Sequence, residues 1–181
     1  MQEAEVSLRV ALYYIKSRKT NEDVTVSIDG AHIKTGDKEH FDIWSFLNEN
    51  GCIKIDGDNS RWQGLYQVSD YPAHIKITSQ SGIGDVNVRL LDGKTLYVES
   101  KKGKENNSSL EYPLMREAIG QLMTAPEFTD DMIPAVAVPY SEKTDELARE
   151  WIGRPLMKQT KIRFLLVKED GDIVTIGWSL M

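Results

Sequence analysis

The chain has 181 residues, enough for one hydrophobic core and too few for several ordinary domains. With 40% hydrophobic and 28% charged residues it has the composition of a soluble globular protein, and no stretch approaches the ~18 apolar residues that cross a bilayer. A net charge of −6 argues against a protein that coats nucleic acid through bulk charge, while 22 Lys and Arg still leave room for a local basic groove.

Residues 3–18 carry Val6, Val10, Tyr13 and Tyr14 at helical spacing, with Leu8, Leu12 and Ile15 beside them, which predicts a first helix. Its opening, MQEAEVSLRV, lacks the basic segment and apolar core of a secretory leader. Val24 to Ile28 alternates like a strand, and the turn signal Asp29-Gly30 predicts a return strand over Ala31 to Lys34, an N-terminal hairpin. Asp42 is placed to N-cap a short helix through Asn48, closed by Asn50-Gly51. Residues 53–60 read as loop. Trp62 to Ser69 and Ala73 to Ser79 read as strands separated by Asp70-Tyr71-Pro72. A loop over 79–84 then delivers the chain to Asp85 and to a hairpin running to Gly103. After a polar loop over 104–109, a helix starts near Pro113 and runs to Thr124. The apolar run Ala135 to Val138 suits a buried strand, and Ser141 to Ile152 an amphipathic helix. A C-terminal hairpin joins Lys161–Lys168 to Ile173–Trp178. Interleaved strands and helices predict a single α/β domain over 1–181. The single cysteine, Cys52, forms no internal disulfide and points to a reducing cytoplasm, and His32, His40 and His74 show no metal-ligand spacing.

The hairpin over 84–103 has two candidate registers. A two-residue Asp92-Gly93 turn mixes apolar and polar residues on both faces. A three-residue loop, Leu91-Asp92-Gly93 with Gly93 left-handed, sets Val86 against Val98 and Val88 against Leu96 on one face. The other face then gathers Asp85 with Glu99, Asn87 with Tyr97 and Arg89 with Thr95. A slip of one residue exchanges the faces, so the hydrophobic pattern selects the second register. Asp85 and Glu99 become cross-strand neighbours, with Lys101 further along the same face. Two carboxylates so close repel unless a cation lies between them, and hard oxygen ligands suit Mg²⁺ or Mn²⁺. The same face also fits an ordinary wet surface in which Lys101 pairs weakly with either acid.

The segments GIGDV, LYVESKKG and YPLMREAIGQLMT together resemble the PD-(D/E)xK nuclease superfamily, the restriction-endonuclease-like fold. The resemblance covers about residues 1–20 and 73–140. It implies a central mixed β-sheet flanked by helices, with an αβββαβ core to which the two terminal hairpins are additions. It carries over Asp85 and Glu99 as metal ligands and, with Lys101, as the catalytic set for Mg²⁺- or Mn²⁺-dependent cleavage of DNA. The residue before Asp85 is Gly84 rather than Pro, and Gln121 is followed four residues on by Ala125 rather than Tyr.

Supporting positions follow from the same comparison. Gln121 matches a Gln on the helix after the hairpin, and Glu5 is the favoured first-helix acid for a further ligand, with Glu3 the other candidate. Lys102, Lys104 and Arg116 are candidate DNA contacts, although Lys102 should face away from Lys101. Ser60-Arg61-Trp62 and Lys158 to Arg163 are further candidates. Leu114, Met115, Ala118, Ile119, Leu122 and Met123 form a core stripe on this helix, where Gly120 would permit close packing. The expected activity is a metal-dependent nuclease acting on DNA in the cytoplasm, as a homodimer or with a targeting subunit, and with no membrane partner. A non-catalytic subunit on the same fold is the alternative, and a binding protein with an ordinary charged face is a third.

Overall fold

The computed structural model describes residues 1–103 and 111–178. In chain order its elements are α1 (Glu3–Lys16), β1 (Val24–Ser27), α2 (Gly30–Ile33), β2 (Lys34–Thr35), β3 (Lys38–Glu39), α3 (Ile43–Glu49), β4 (Cys52–Asp56), β5 (Gly64–Val68) and β6 (His74–Thr78). They continue through β7 (Val86–Arg89), β8 (Thr95–Ser100), α4 (Glu111–Met123), β9 (Met132–Pro139), α5 (Glu142–Ile152), α6 (Pro155–Thr160), β10 (Arg163–Val167) and β11 (Ile173–Ile176). Nine strands form one mixed sheet in the order β11-β10-β9-β8-β7-β1-β6-β5-β4. Strand β1 runs parallel to β6, and β9 runs parallel to both β8 and β10; the remaining neighbours are antiparallel. The fold is therefore α/β, with a mixed sheet flanked by helices. Among the described residues no helix is long and apolar enough to cross a membrane.

Two cores explain the two kinds of strand. Helix α1 lies across the middle of one sheet face and buries Val6, Leu8, Val10, Leu12 and Ile15 against Val26, Val86, Val88, Leu96, Val98 and Ala137. Helices α4 and α5 cover the opposite face, where Met115, Ala118, Leu122, Leu147 and Trp151 meet Tyr97, Val136, Val138, Phe164 and Leu166. Strands β9 and β10 are covered on both faces, which is why they read as unbroken apolar runs. Each large apolar side chain so buried contributes on the order of 1.5–3 kcal/mol before chain entropy is set against it. Helix α5 starts on a reciprocal cap between Ser141 and Thr144.

Several local expectations are overturned. Residues 31–33 form helix α2 instead of a return strand, and Lys34 opens the short strand β2. Asp29 caps the short helix α2 through Ala31 N–H at 2.9 Å, and the only nearby hairpin is the two-residue pair β2–β3, outside the main sheet. Strand β1 instead spends both edges on distant partners, β6 and β7. The neighbour of β7 is thus β1 rather than β6, so a strand from residues 24–72 belongs to the core that was assigned to 1–20 and 73–140. Residues 53–60 are not all loop, because β4 occupies 52–56 at the sheet edge. Helix α6, opening with Pro155, was not anticipated. The C-terminal hairpin is present as β10–β11. On α4, Met123 is 67% exposed, and Gly120 has open space where a Cβ would stand, so it permits no close approach.

Candidate functional site

Strands β7 and β8 adopt the register selected by the hydrophobic pattern, with Val86 opposite Val98, Asn87 opposite Tyr97, Val88 opposite Leu96 and Arg89 opposite Thr95. The loop closes with Leu90 N–H donating to Lys94 O at 2.8 Å and Gly93 in the left-handed region at φ +82. At the other end the ladder breaks at Asp85. Its N–H donates to Val98 O at 2.8 Å, and its carbonyl accepts from Ser27 N–H at 2.8 Å. Its Oδ2 accepts the Ser100 N–H at 2.7 Å, replacing the next rung with a side chain. Three bonds therefore fix Asp85 across three strands. Gly84 precedes it at φ +73, and a Cβ there would lie 2.8 Å from Tyr97 Cζ. Only glycine lets the chain pass over that ring and deliver Asp85.

The Asp85 and Glu99 carboxyls stand close together at the end of the β7–β8 hairpin, close enough for each to affect the other's proton. Both hold their protons above the ordinary carboxylate range. Burial is the main cause for each; for Glu99 the adjacent Asp85 adds to it, and for Asp85 the Ser100 N–H works against it. Lys101 is 4% exposed. Burial alone would loosen its proton, but Glu3 and Glu117 outweigh that and hold it as an ammonium. Its Nζ lies 3.2 Å from Glu117 Oε1 on α4 and 3.7 Å from Glu3 Oε1 on α1. The end of β8 thus places Lys101 where the helices of the two layers meet. Glu3 Oε1 also lies 3.4 Å from His32 Nδ1 on α2.

Of these groups, Glu3, His32, Asp85 and Glu99 edge a cleft of about 610 Å³. Asp85, Glu99 and Tyr97 form its floor, Gln121 and Thr124 one wall, Glu3, Asp29 and His32 another, and Ser79 to Gly82 a third. Among the described residues no Lys or Arg lines it.

Of the residues singled out in the sequence, Asp85, Glu99 and Lys101 come together, and Gln121 lines the same cleft. Glu5 does not. It pairs with Arg9 four residues on, at 2.9 Å, and Glu3 takes the place expected for it. Lys102 faces a shallow groove with Glu111, Leu114 and Pro139, away from the cleft, and Arg116 lies over the Tyr112 ring at 4.3 Å. Lys104 lies outside the described residues. Arg61, paired with Asp58, and the segment 158–163 also line no part of the cleft. Glu3 had a signal in sequence, since Glu3, Ala4 and Ser7 share one helical face and all line the cleft. His32 had none, because its neighbours in the cleft lie far away along the chain.

No protein-family model matches the sequence, and neither curated proteins nor solved structures yield a match.

Proposed function

We propose that this protein is a metal-dependent nuclease that hydrolyses DNA phosphodiester bonds in the cytoplasm. The observation that carries the reading is the convergence of Asp85 and Glu99 in the lining of one cleft, beside the buried Lys101. A restriction-endonuclease-like fold is part of the proposal. It is supported by the order α1, β1, β7, β8, α4, β9, which follows helix, three strands, helix, strand once β2 to β6 are taken as an insertion.

The donor set fits a hard divalent cation. Burial and, for Glu99, the neighbouring Asp85 disfavour two negative charges here, and a cation would relieve that. Asp85 and Glu99 would hold Mg²⁺ or Mn²⁺, with water in the remaining positions. When bound, such an ion polarises a phosphate and acidifies its water. Lys101, kept protonated by Glu3 and Glu117, serves as a donor that orients the attacking water and stabilises charge on the phosphate, not as its base.

Plasmid nicking in Mg²⁺, Mn²⁺ or EDTA tests this. Wild type should cleave only with metal, and Asp85→Ala and Lys101→Ala should each lose on the order of a hundredfold or more. Cleavage that survives both substitutions removes the proposal. A second reading, a non-catalytic subunit on the same fold, is favoured by the lack of Lys and Arg in the described cleft lining and by the net charge of −6. Tight DNA binding or a stable hetero-complex without metal-dependent cleavage would establish it instead.

A further inference from the structure

The described lining of the cleft presents a substrate anion with an unwelcoming surface. Glu3, Asp29, Asp85 and Glu99 contribute carboxyls, and Lys101 is sealed behind them at 4% exposure. One described lining side chain can carry positive charge, the imidazole of His32. It stands on α2, whose start is set by the Asp29 cap, and its side chain remains 38% exposed. Its Nδ1 faces Glu3 Oε1 at 3.4 Å. Among the described residues Nε2 has no protein partner, which leaves it available to the cleft. Glu3 therefore spans two basic side chains, the buried Lys101 behind the carboxyl pair and the exposed His32 on the opposite wall. A carboxylate at one imidazole nitrogen fixes the ring orientation and leaves the other nitrogen directed at the cleft.

We infer that His32 is a substrate-binding residue of this cleft, oriented by Glu3 and donating from Nε2 to a phosphoryl oxygen of the strand being cut. The inference rests on the nuclease reading and assigns it a phosphate contact on the open wall of the cleft, which no described Lys or Arg lines. It also gives Glu3 a positioning role shared between Lys101 and His32.

The test compares wild type, His32→Ala, His32→Gln, Glu3→Gln and Asp85→Ala, each first checked by thermal melting. Two readouts are used: Mg²⁺-dependent cleavage of a fluorescent oligonucleotide, and binding of the same oligonucleotide in EDTA. Loss of one charge-assisted hydrogen bond should lower kcat/KM of His32→Ala by about tenfold to a hundredfold, and weaken binding in EDTA in parallel. Glutamine, which keeps a neutral donor, should recover part of the loss. Glu3→Gln should impair both kcat and binding, because it releases both Lys101 and His32. If wild type and Asp85→Ala behave as a nuclease and its dead variant while a folded His32→Ala matches wild type in both readouts, the assignment of His32 is overturned and the nuclease reading stands. If wild type does not cleave, or Asp85→Ala cleaves equally well, both fall together.

Discussion

At the scale of single residues, the cleft floor has a pH signature that requires no substrate. Asp85 and Glu99 hold their protons more tightly folded than an ordinary carboxyl does, so the folded state binds more protons than the unfolded chain. Unfolding then releases protons, and the contribution of the pair to stability falls as pH rises. It is fullest below roughly pH 4, the ordinary carboxylate value, and is lost upward through neutrality as the two acids ionise side by side. Glu99→Gln removes one of the charges. In EDTA it should be more stable than wild type by about 1–2 kcal/mol at pH ~8, a figure discounted for the partial exposure of Glu99, and the gap should close at pH ~5. Urea unfolding at the two pH values measures this. Mg²⁺ should restore wild type at the higher pH and leave the variant unmoved. Asp85, Glu99 and Lys101 were legible in sequence because one hairpin, in one register, carries them all. The meeting of Glu3 with His32 was not, because it is set by where α1 and α2 land on the sheet, and the i,i+4 pair Glu5–Arg9 was itself the sign that Glu5 belonged elsewhere.

At the scale of elements, the hairpin was readable because its information is local. Val86, Val88, Leu96 and Val98 choose a face, and Gly93 supplies the bulge. Asp29-Gly30 misled for the same reason. The local signal is that of a turn, but β1 satisfies its edges with partners some 50 residues away, pairing Val24 with Ile75, and leaves none for a return strand. Strand β4 was hidden because its apolar residues point outward. Ile53 and Ile55 are exposed while Cys52 is buried, and the register shifts between Lys54 and Asp56. Such a bulge is how an edge strand avoids pairing with another chain. The element that most directly governs the site is the approach to β7. Gly84→Ala has to relieve both a left-handed backbone and a contact under 3 Å with the Tyr97 ring, whose buried body cannot withdraw. It should destabilise the protein by about 1–3 kcal/mol. Because the shift propagates to Asp85, cleavage should fall further than the loss of folded protein explains. Melting and cleavage measured on one preparation separate the two, and equal losses would mean that Asp85 keeps its place.

At the scale of the whole molecule, a nine-stranded sheet is divided by function. The cleft draws on α1, β1, α2, the loop over 79–84, β7, β8 and α4, while β4 and the turn after it sit at one outer edge. The architecture class was legible because apolar runs and amphipathic stretches alternate along the chain. The strand order was not, because it is decided by pairings that join residues far apart in sequence. This division makes a prediction about independence. Lys54 fastens the outer edge, since its Nζ donates to the carbonyls of Asp58 and Arg61 and lies 5.5 Å from the Trp44 ring centroid and 5.8 Å from that of Tyr66. Its stem also fills the space a Cβ would need at Gly57 and Gly64, near the ends of the turn between β4 and β5. Lys54→Ala removes two hydrogen bonds and two cation–ring contacts at once, each partly open to water, and should lower stability by about 1–2 kcal/mol. The loosened segment over 57–63 should become the first site of limited proteolysis. If the cleft is carried by the central strands alone, metal-dependent cleavage by the intact variant should stay within about twofold of wild type, since sites without shared partners act additively. A fall comparable to that of Asp85→Ala would instead make the outer strands and the cleft one cooperative unit, coupled through β5 and β6 to the loop that forms the third wall.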